Sequence, residues 1–423
     1  MKLVDGIQIW RNAIAQTMGE NYMPLMDTTD PDHPVPIDNK AFASLDSQAL
    51  IDIGKDVTSE NTISSLNNNL VALIGKHIIE TRTYTTRVPS IYVESFDWGG
   101  FLERTRLGLG EIFDDPMYTK KFGDNFAEFE HTYFGQPTYS KIFEEAKAIV
   151  CPISIEREQL RDAFNGWDKM NEYIGAKEAK IRSTINLALG AMEKMLLQTA
   201  VAVSDVKNNS AVHLITEAVA LDIVDPIPLG TDPETYRNPT YDEVRLNPEF
   251  IAYVMFRIKQ IRSYMFEIST AFNDKTMPTW CDEDPTLVLL DDFVDASKVY
   301  VKANTFNPEE IGVGAVDTIP SWQAVYRIDT TPTPDVEYIF DPITLSSVDV
   351  AANADGKIGQ TTEYKKSGVI GLMFDKSAIG ICLHRAKVTS NYTACADFWN
   401  TYYHELVNHI IDSSYGIVAF IAD

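Results

Sequence analysis

The sequence predicts an α+β protein built on one long helix that lies across long strands. Three observations carry this prediction. Met170, Ile174, Ile181, Ile185, Leu189, Met192, Leu196, Ala200 and Val203 recur at spacings of three and four, or their sum, as one face of a helix does. The run "FWNTYYHELVNHII" at 398–411 is rich in aromatic and β-branched residues, a strand composition. Shorter apolar runs, "PTLVLLDDF", "KVYVKA" and "YGIVAFIAD", have the length of buried strands.

Bulk composition limits the function classes. A chain of 423 residues, 45% of them hydrophobic, can bury a large core or divide into two or three domains. Lys and Arg number 36 against 61 Asp and Glu, for a net charge of -25. That balance argues against nucleic-acid binding, which needs clustered cations. The cysteines Cys151, Cys281, Cys382 and Cys395 show no CxxC and no paired spacing, so they read as small buried hydrophobes in a reducing compartment. The opening "MKLVDGIQIWRNAIAQ" lacks the basic start and apolar block of a secretory signal. No apolar run approaches the roughly 18 residues that span a bilayer, so no membrane partner is expected.

Taken in order, residues 1–50 read as an arm. "MGENYMPLMDTTDPDHPVPIDNK" is rich in Pro and Asp with little periodicity, which predicts an extended segment packed only on something else. "ENTISSLNNNLVALIGKHIIETRTY" then reads as a short helix followed by a strand. From about 85 to 150, "SIYVESFDW" and "YFGQPTYSKIFEEAKAIVCPIS" give two extended runs separated by Gly- and Asp-rich text. Such a two-stranded excursion has too little core to stand alone and must lie on a neighbouring surface. Ser154 is the expected cap of a short helix, "SIEREQLRDAFNG", that stops near Gly166. The long helix follows. "NPEFIAYVMFRIKQIRSYMFEISTAF" is predicted helical with Pro248 at its start. "DTTPTPDVEYIFDPITLSSVDVAANADGKIGQ" reads as a loop-rich insertion with short strands, and "SGVIGLMFDKSAIGICLHRAKV" returns to core strands.

Motifs for chemistry are thin. His404-Glu405 opens like a zinc-protease helix, but Asn408 stands where the second histidine belongs and His409 comes one residue late. Five residues is roughly 140° around a helix, and on a strand an odd separation puts the rings on opposite faces. "RLGLGE" offers Gly108 and Gly110 without the third glycine of a dinucleotide turn. Asp282, Glu283, Asp284, Asp291, Asp292 and Asp295 lack calcium-loop spacing and read as a solvated acidic face. His33, His77, His131, His213 and His384 stand alone. No catalytic, cofactor-binding or metal-binding residue is assigned, and no cofactor or enzymatic activity is expected. Size, excursion and arm together suggest a subunit that completes its burial on its neighbours.

The order of parts resembles the major capsid protein of tailed bacteriophages, the Johnson fold, and is most similar to those of small podoviruses of the Salasmaviridae type. The residues that carry the resemblance are "VCPISIEREQLRDAFNGWDKMNEYIGAKEAKIRSTINLALGAMEKMLL" at 150–197 and "FDKSAIGICLHRAKVTSNYTACADFWNTYYHELVNHIIDSSYGIVAFIAD" at 374–423. The resemblance implies an N-terminal arm at 1–60, a segment leading into the P domain at 61–84, and an E-loop at 85–150. It further implies a P domain with its spine helix at 151–214 and an A domain at 215–384, in which 330–368 reads as an insertion. P-domain strands follow at 385–412 and a final A-domain strand at 413–423. The implied function is self-assembly into hexamers and pentamers of an icosahedral shell around double-stranded DNA, without sequence-specific binding. Implied partners are further copies of the chain, a portal protein, a scaffolding protein and, left open, a decoration protein. About 50 residues precede the body, too few for a fused scaffold domain of ordinary size, so the scaffold is expected to be separate. The implied location is the virion, after assembly in the bacterial host cytoplasm. Two alternatives remain: a host-encoded nanocompartment shell of the same fold, and a soluble enzyme with a dispersed site. Some shells of this fold carry Lys–Asn crosslinks; no residues are assigned to one here.

Overall fold

The N-terminal residues fold as helices, which corrects the extended arm expected from composition. This computed structural model describes residues 3–19, 22–27, 35–59, 62–81, 88–93, 102–108, 135, 138–143, 146–228, 236–300, 315–323, 348–352, 358–393 and 397–423. Helix α1 spans Leu3–Met18, and the short strands β1 (Met26–Asp27) and β2 (Val35–Pro36) pair antiparallel after it. Helices α2 (Asn39–Ala43), α3 (Ser47–Val57) and α4 (Ile63–Thr81) follow. Apolar residues spaced for helices underlie the Pro- and Asp-rich text. Trp10, Ala13 and Ile14 of α1, Phe42 of α2, and Leu50, Ile53 and Val57 of α3 are all buried. Asp38 and Asp46 cap α2 and α3 by accepting from the Ala41 and Ala49 amides, which satisfies donors the helix leaves open. The segment belongs to the subunit's own core: Trp10 donates to the Met170 carbonyl at 3.1 Å and meets Phe164 edge-on.

Helix α4 is longer than the short helix expected. The strand expected directly after it falls at 82–87, outside the described residues, and β3 (Tyr92–Val93) is the next strand described. Strands β4 (Leu102–Leu107) and β5 (Thr138–Phe143) form an antiparallel hairpin. Strand β6 (Ala146–Glu156) begins inside the span read as the excursion. Ser154 lies within β6 and donates to Asn400 Oδ1 at 2.8 Å, so it does not cap the next helix. Helix α5 (Arg157–Ala163) starts after Glu156 without a side-chain cap, because the strand ladder runs on to Glu156, opposite Phe398.

Helix α6 spans Trp167–Ala202 and continues as a π-helical turn over Val203–Asn208. Asn209, with a left-handed φ of 50°, ends it as a C-cap asparagine can. All nine apolar residues singled out in its sequence are buried. By length and composition the Trp167–Asn208 helix would pass for a membrane span, but 67% of its most apolar window is buried within the protein.

The chain then builds a second unit: β7 (Val212–His213), α7 (Leu214–Ala220), β8 (Ile227–Pro228), β9 (Tyr236–Arg237), α8 (Tyr241–Val244), α9 (Pro248–Met265), β10 (Thr286–Leu290), α10 (Asp291–Tyr300) and β11 (Ala315–Ile319). Pro248 opens α9 as expected. "KVYVKA" is not a strand where it is described. Lys298–Tyr300 end α10, with Val299 76% exposed. Asp291 and Asp292 in the first turn favour helix there, and Phe293, Val294 and Ala296 supply its buried side. Strands β12 (Val348–Ala352) and β13 (Ile358–Lys366) pair antiparallel inside the span read as an insertion. Core strands β14 (Val369–Phe374), β15 (Ile379–Thr393), β16 (Phe398–Ile411) and β17 (Ile417–Ile421) close the chain.

Two sheets result. One, in the order β3-β15-β16-β6, lies on α6; the other, β11-β10-β14-β17-β7, is the centre of the second unit. Its strands β10, β14 and β17 are buried throughout, which explains their unbroken apolar text.

Candidate assembly surfaces

Two buried carboxylates, Glu178 and Glu193, fix the long helix to α4 and to its sheet. Glu178 Oε1 accepts from Arg182 Nε at 2.7 Å and lies 3.7 Å from His77 Nε2, a contact that ties α4 to α6. Glu193 accepts from the Tyr92 hydroxyl at 2.6 Å, which fixes β3, the strand before the hairpin, to the same helix. A buried carboxylate without such partners would cost several kcal/mol, of order 3–5.

The two sheets join where two of their turns meet, and again where the Ser90 amide, just before β3, donates to Asp317 Oδ2 on β11 at 3.3 Å. The β14–β15 turn, Asp375–Ala378, and the β16–β17 turn, Asp412–Gly416, lie side by side. The Asp412 amide donates to the Ala378 carbonyl at 2.7 Å, and the Asp375 amide to the Gly416 carbonyl at 2.9 Å. The π-helical turn of α6 and the residues just after it secure the last strand: the Ala419 amide donates to Ser204 Oγ at 2.9 Å, and Ser210 Oγ donates to the Ile417 carbonyl. A cleft of about 670 Å³ opens beside this junction, lined by Arg104, Arg106, Trp280, Glu283, Lys376 and Tyr415 among others.

The subunit leaves apolar side chains exposed at several places on its surface, the hairpin and α9 among them. On the hairpin, Tyr139 is 42% and Ile142 53% exposed; Phe256 on α9 is 59% exposed, with Tyr264 and Ile268 also open beyond it. Glu217 accepts from Tyr253 and takes both Arg257 Nε and Nη2. Burial first, then that hydrogen bond, pushes the Tyr253 hydroxyl up to about 12.

The sequence candidates for chemistry are dispersed. His404 and Glu405 lie on β16, where His404 Nε2 meets Thr389 Oγ1 at 2.9 Å and Glu405 is buried. Among the described residues, no three His, Cys, Asp or Glu side chains are grouped to hold a metal. Four of the six acids in the run are paired with cations: Asp284 with Arg262, Glu283 with Lys376, Asp292 with Arg245 and Asp295 with Lys298. His213 pairs with Asp423 at 2.6 Å. Gly110, His33, His131 and Cys395 lie outside the described residues, as does the His384 side chain. Cys151, Cys281 and Cys382 are free and buried. Sequence reading missed the hairpin cations Arg104, Arg106 and Lys141 and the buried Glu193; only the alternation in "LERTRL" could have marked the arginines as sharing a face.

A search of curated proteins returned no match. Among solved structures, a chain of the capsid of Staphylococcus phage Andhra aligns with 11% identity and a TM-score of 0.46, over 78% of this chain and 83% of that one. A chain of the mature capsid of bacteriophage PhiM1 aligns with 9% identity and a TM-score of 0.40, over 80% and 88%. The decisive comparison is with sequence families. The profile of the Phi29-like phage major capsid protein matches residues 12–421, from within the first helix to the end of the last strand. This chain belongs to the Phi29-like phage major capsid protein family, and its function is to form the capsid shell.

Proposed function

We propose that the chain builds the shell as hexamers and pentamers enclosing double-stranded DNA, each part of the subunit serving a different contact. The observation that carries this reading is the family match over nearly the whole chain. In this reading the helix α6 and the sheet β3-β15-β16-β6 form the P domain, the stiff plank of the shell floor. The hairpin β4–β5 is the E-loop, which overlies an adjacent subunit. The unit around β10, β14 and β17 is the A domain, whose exposed Phe256, Tyr264 and Ile268 suit contact with further copies. A structural role fits these parts better than enzymatic turnover, and membership of a phage capsid family disfavours the nanocompartment alternative.

A separate scaffolding protein and a portal protein are the partners this role calls for, with a decoration protein left open. The net charge of -25 suits a container for DNA: acidic side chains on the lumenal wall repel the packaged polyanion and keep it mobile. Replacing lumenal Asp and Glu by Asn and Gln is expected to slow packaging or ejection. The experiment for the assembly reading is co-expression with the scaffolding protein followed by size-exclusion chromatography. Particles on the order of hundreds of subunits are expected, and elution as a small oligomer would contradict the reading.

A further inference from the structure

One face of the β4–β5 hairpin carries three cations. The register opposes Arg104 to Lys141 and Arg106 to Tyr139, so the side chains of 104, 106 and 141 share a face. All three reach the junction between the two sheets. Arg104 donates to the Ser377 carbonyl. Arg106 donates to the Ser414 carbonyl at 3.2 Å and lies 4.1 Å above the Tyr415 ring; Arg104 stands 5.9 Å from the same ring. Lys141 Nζ lies 3.2 Å from Asp412 Oδ1, whose side chain is buried. Asp412 is itself held in place, since Oδ1 also accepts from the Ser414 amide and hydroxyl.

Ile142 on the opposite face is mostly exposed, and a two-stranded ribbon is marginal by itself in water. Its direction is therefore set where its cations land. The landing site is two turns bonded to each other where the sheets meet.

We propose that Arg104, Arg106 and Lys141, with Tyr415 and Asp412, form a clasp that fixes the direction in which the hairpin leaves the free subunit. They are positioning residues for the contact with the next copy, an inference that rests on the shell reading above. A hairpin already pointed correctly has less freedom to lose when subunits meet. The aromatic face matters as well as the charge, because a guanidinium over a ring is attracted by its electron-rich face.

The test compares Tyr415→Leu, Tyr415→Phe and Arg106→Gln in the full chain. Two readouts are taken: hydrogen exchange of β4 and β5 amides before assembly, and particle yield under conditions where the wild type forms shells. Tyr415→Leu and Arg106→Gln are expected to speed hairpin exchange about tenfold, to leave α6 and β17 protected, and to lower particle yield. Tyr415→Phe keeps the ring face and is expected to behave as the wild type. If Tyr415→Leu fails to fold, Arg106→Gln, at a half-buried side chain, carries the test. Unchanged hairpin exchange in Arg106→Gln would overturn the clasp. Faster exchange with undiminished yield would overturn its positioning role. A wild type that forms no particles would overturn the shell reading and that role with it, and is told apart because exchange still reports the clasp.

Discussion

Trp10 shows how one residue changes the view of a whole segment. Its ring is fully buried and its indole donates to the carbonyl of Met170 on the long helix. Trp10→Ala is expected to cost about 3–5 kcal/mol of unfolding free energy, measurable by urea denaturation of the unassembled chain; a cost near zero would return the N-terminus to an arm. The buried cysteines give a second expectation. Burial, and for Cys281 the nearby Asp375, holds the thiols of Cys151 and Cys281 above their usual range. Since the thiolate is the reactive form, both should resist alkylation in the native chain and react on unfolding. A third concerns Glu243, held down to about 2 chiefly by its hydrogen bonds to Arg237 and then by the Thr240 amide. A carboxylate with a lowered pKa contributes fully above its ordinary value and loses that contribution as pH falls through the lowered one. The cap of α8 should therefore hold above the usual value of 4.5 and loosen only toward pH 2, read by the Thr240 amide resonance; in Glu243→Gln that dependence should vanish.

At the scale of elements, legibility followed solvent exposure. Helix α6 was readable because its outer face stays wet along most of its length, so polar and apolar residues alternate with the helical period and all nine residues named from the sequence are buried. Strand β16 was readable to the residue, 398–411, because its ladder needs aromatic and β-branched side chains along its length. The short helices α2 and α3 were hidden because their capping aspartates resemble loop text, and only the burial of Phe42 and Leu50 separates a cap from a turn. Ser154 misled for the converse reason. A good cap residue cannot start a helix while its backbone is still paired with Asn400 in the sheet. The hairpin clasp was illegible since its partners, Arg106 and Tyr415, are brought together only by the fold. A prediction follows for α6: Ser183→Pro, at an exposed mid-helix site, should cost about 3 kcal/mol or more, whereas Ser183→Ala should be close to neutral in the same denaturation assay.

The whole molecule combines a self-contained core with appendages that are not self-contained. The sequence suggested an extended N-terminal segment packed only on something else; instead α1 to α4 pack within the chain's own core, which is continuous with both sheets. Apolar side chains stay exposed on several elements, among them Ile142 of the hairpin and Phe256 of the second unit. This division suits a shell protein, since a stable subunit can circulate unassembled and still carry surfaces that pair with copies of itself. The His404-Glu405 pair lies in strand pairing, where His404 meets Thr389, so chelation of metal with EDTA should leave assembled particles intact on a sizing column. The most direct measurement is electron microscopy of the purified chain co-expressed with its scaffolding protein. Closed shells whose subunits show the long helix lying along the floor, with the hairpin crossing onto the adjacent copy, are the predicted result; a discrete small oligomer under every assembly condition would contradict the account.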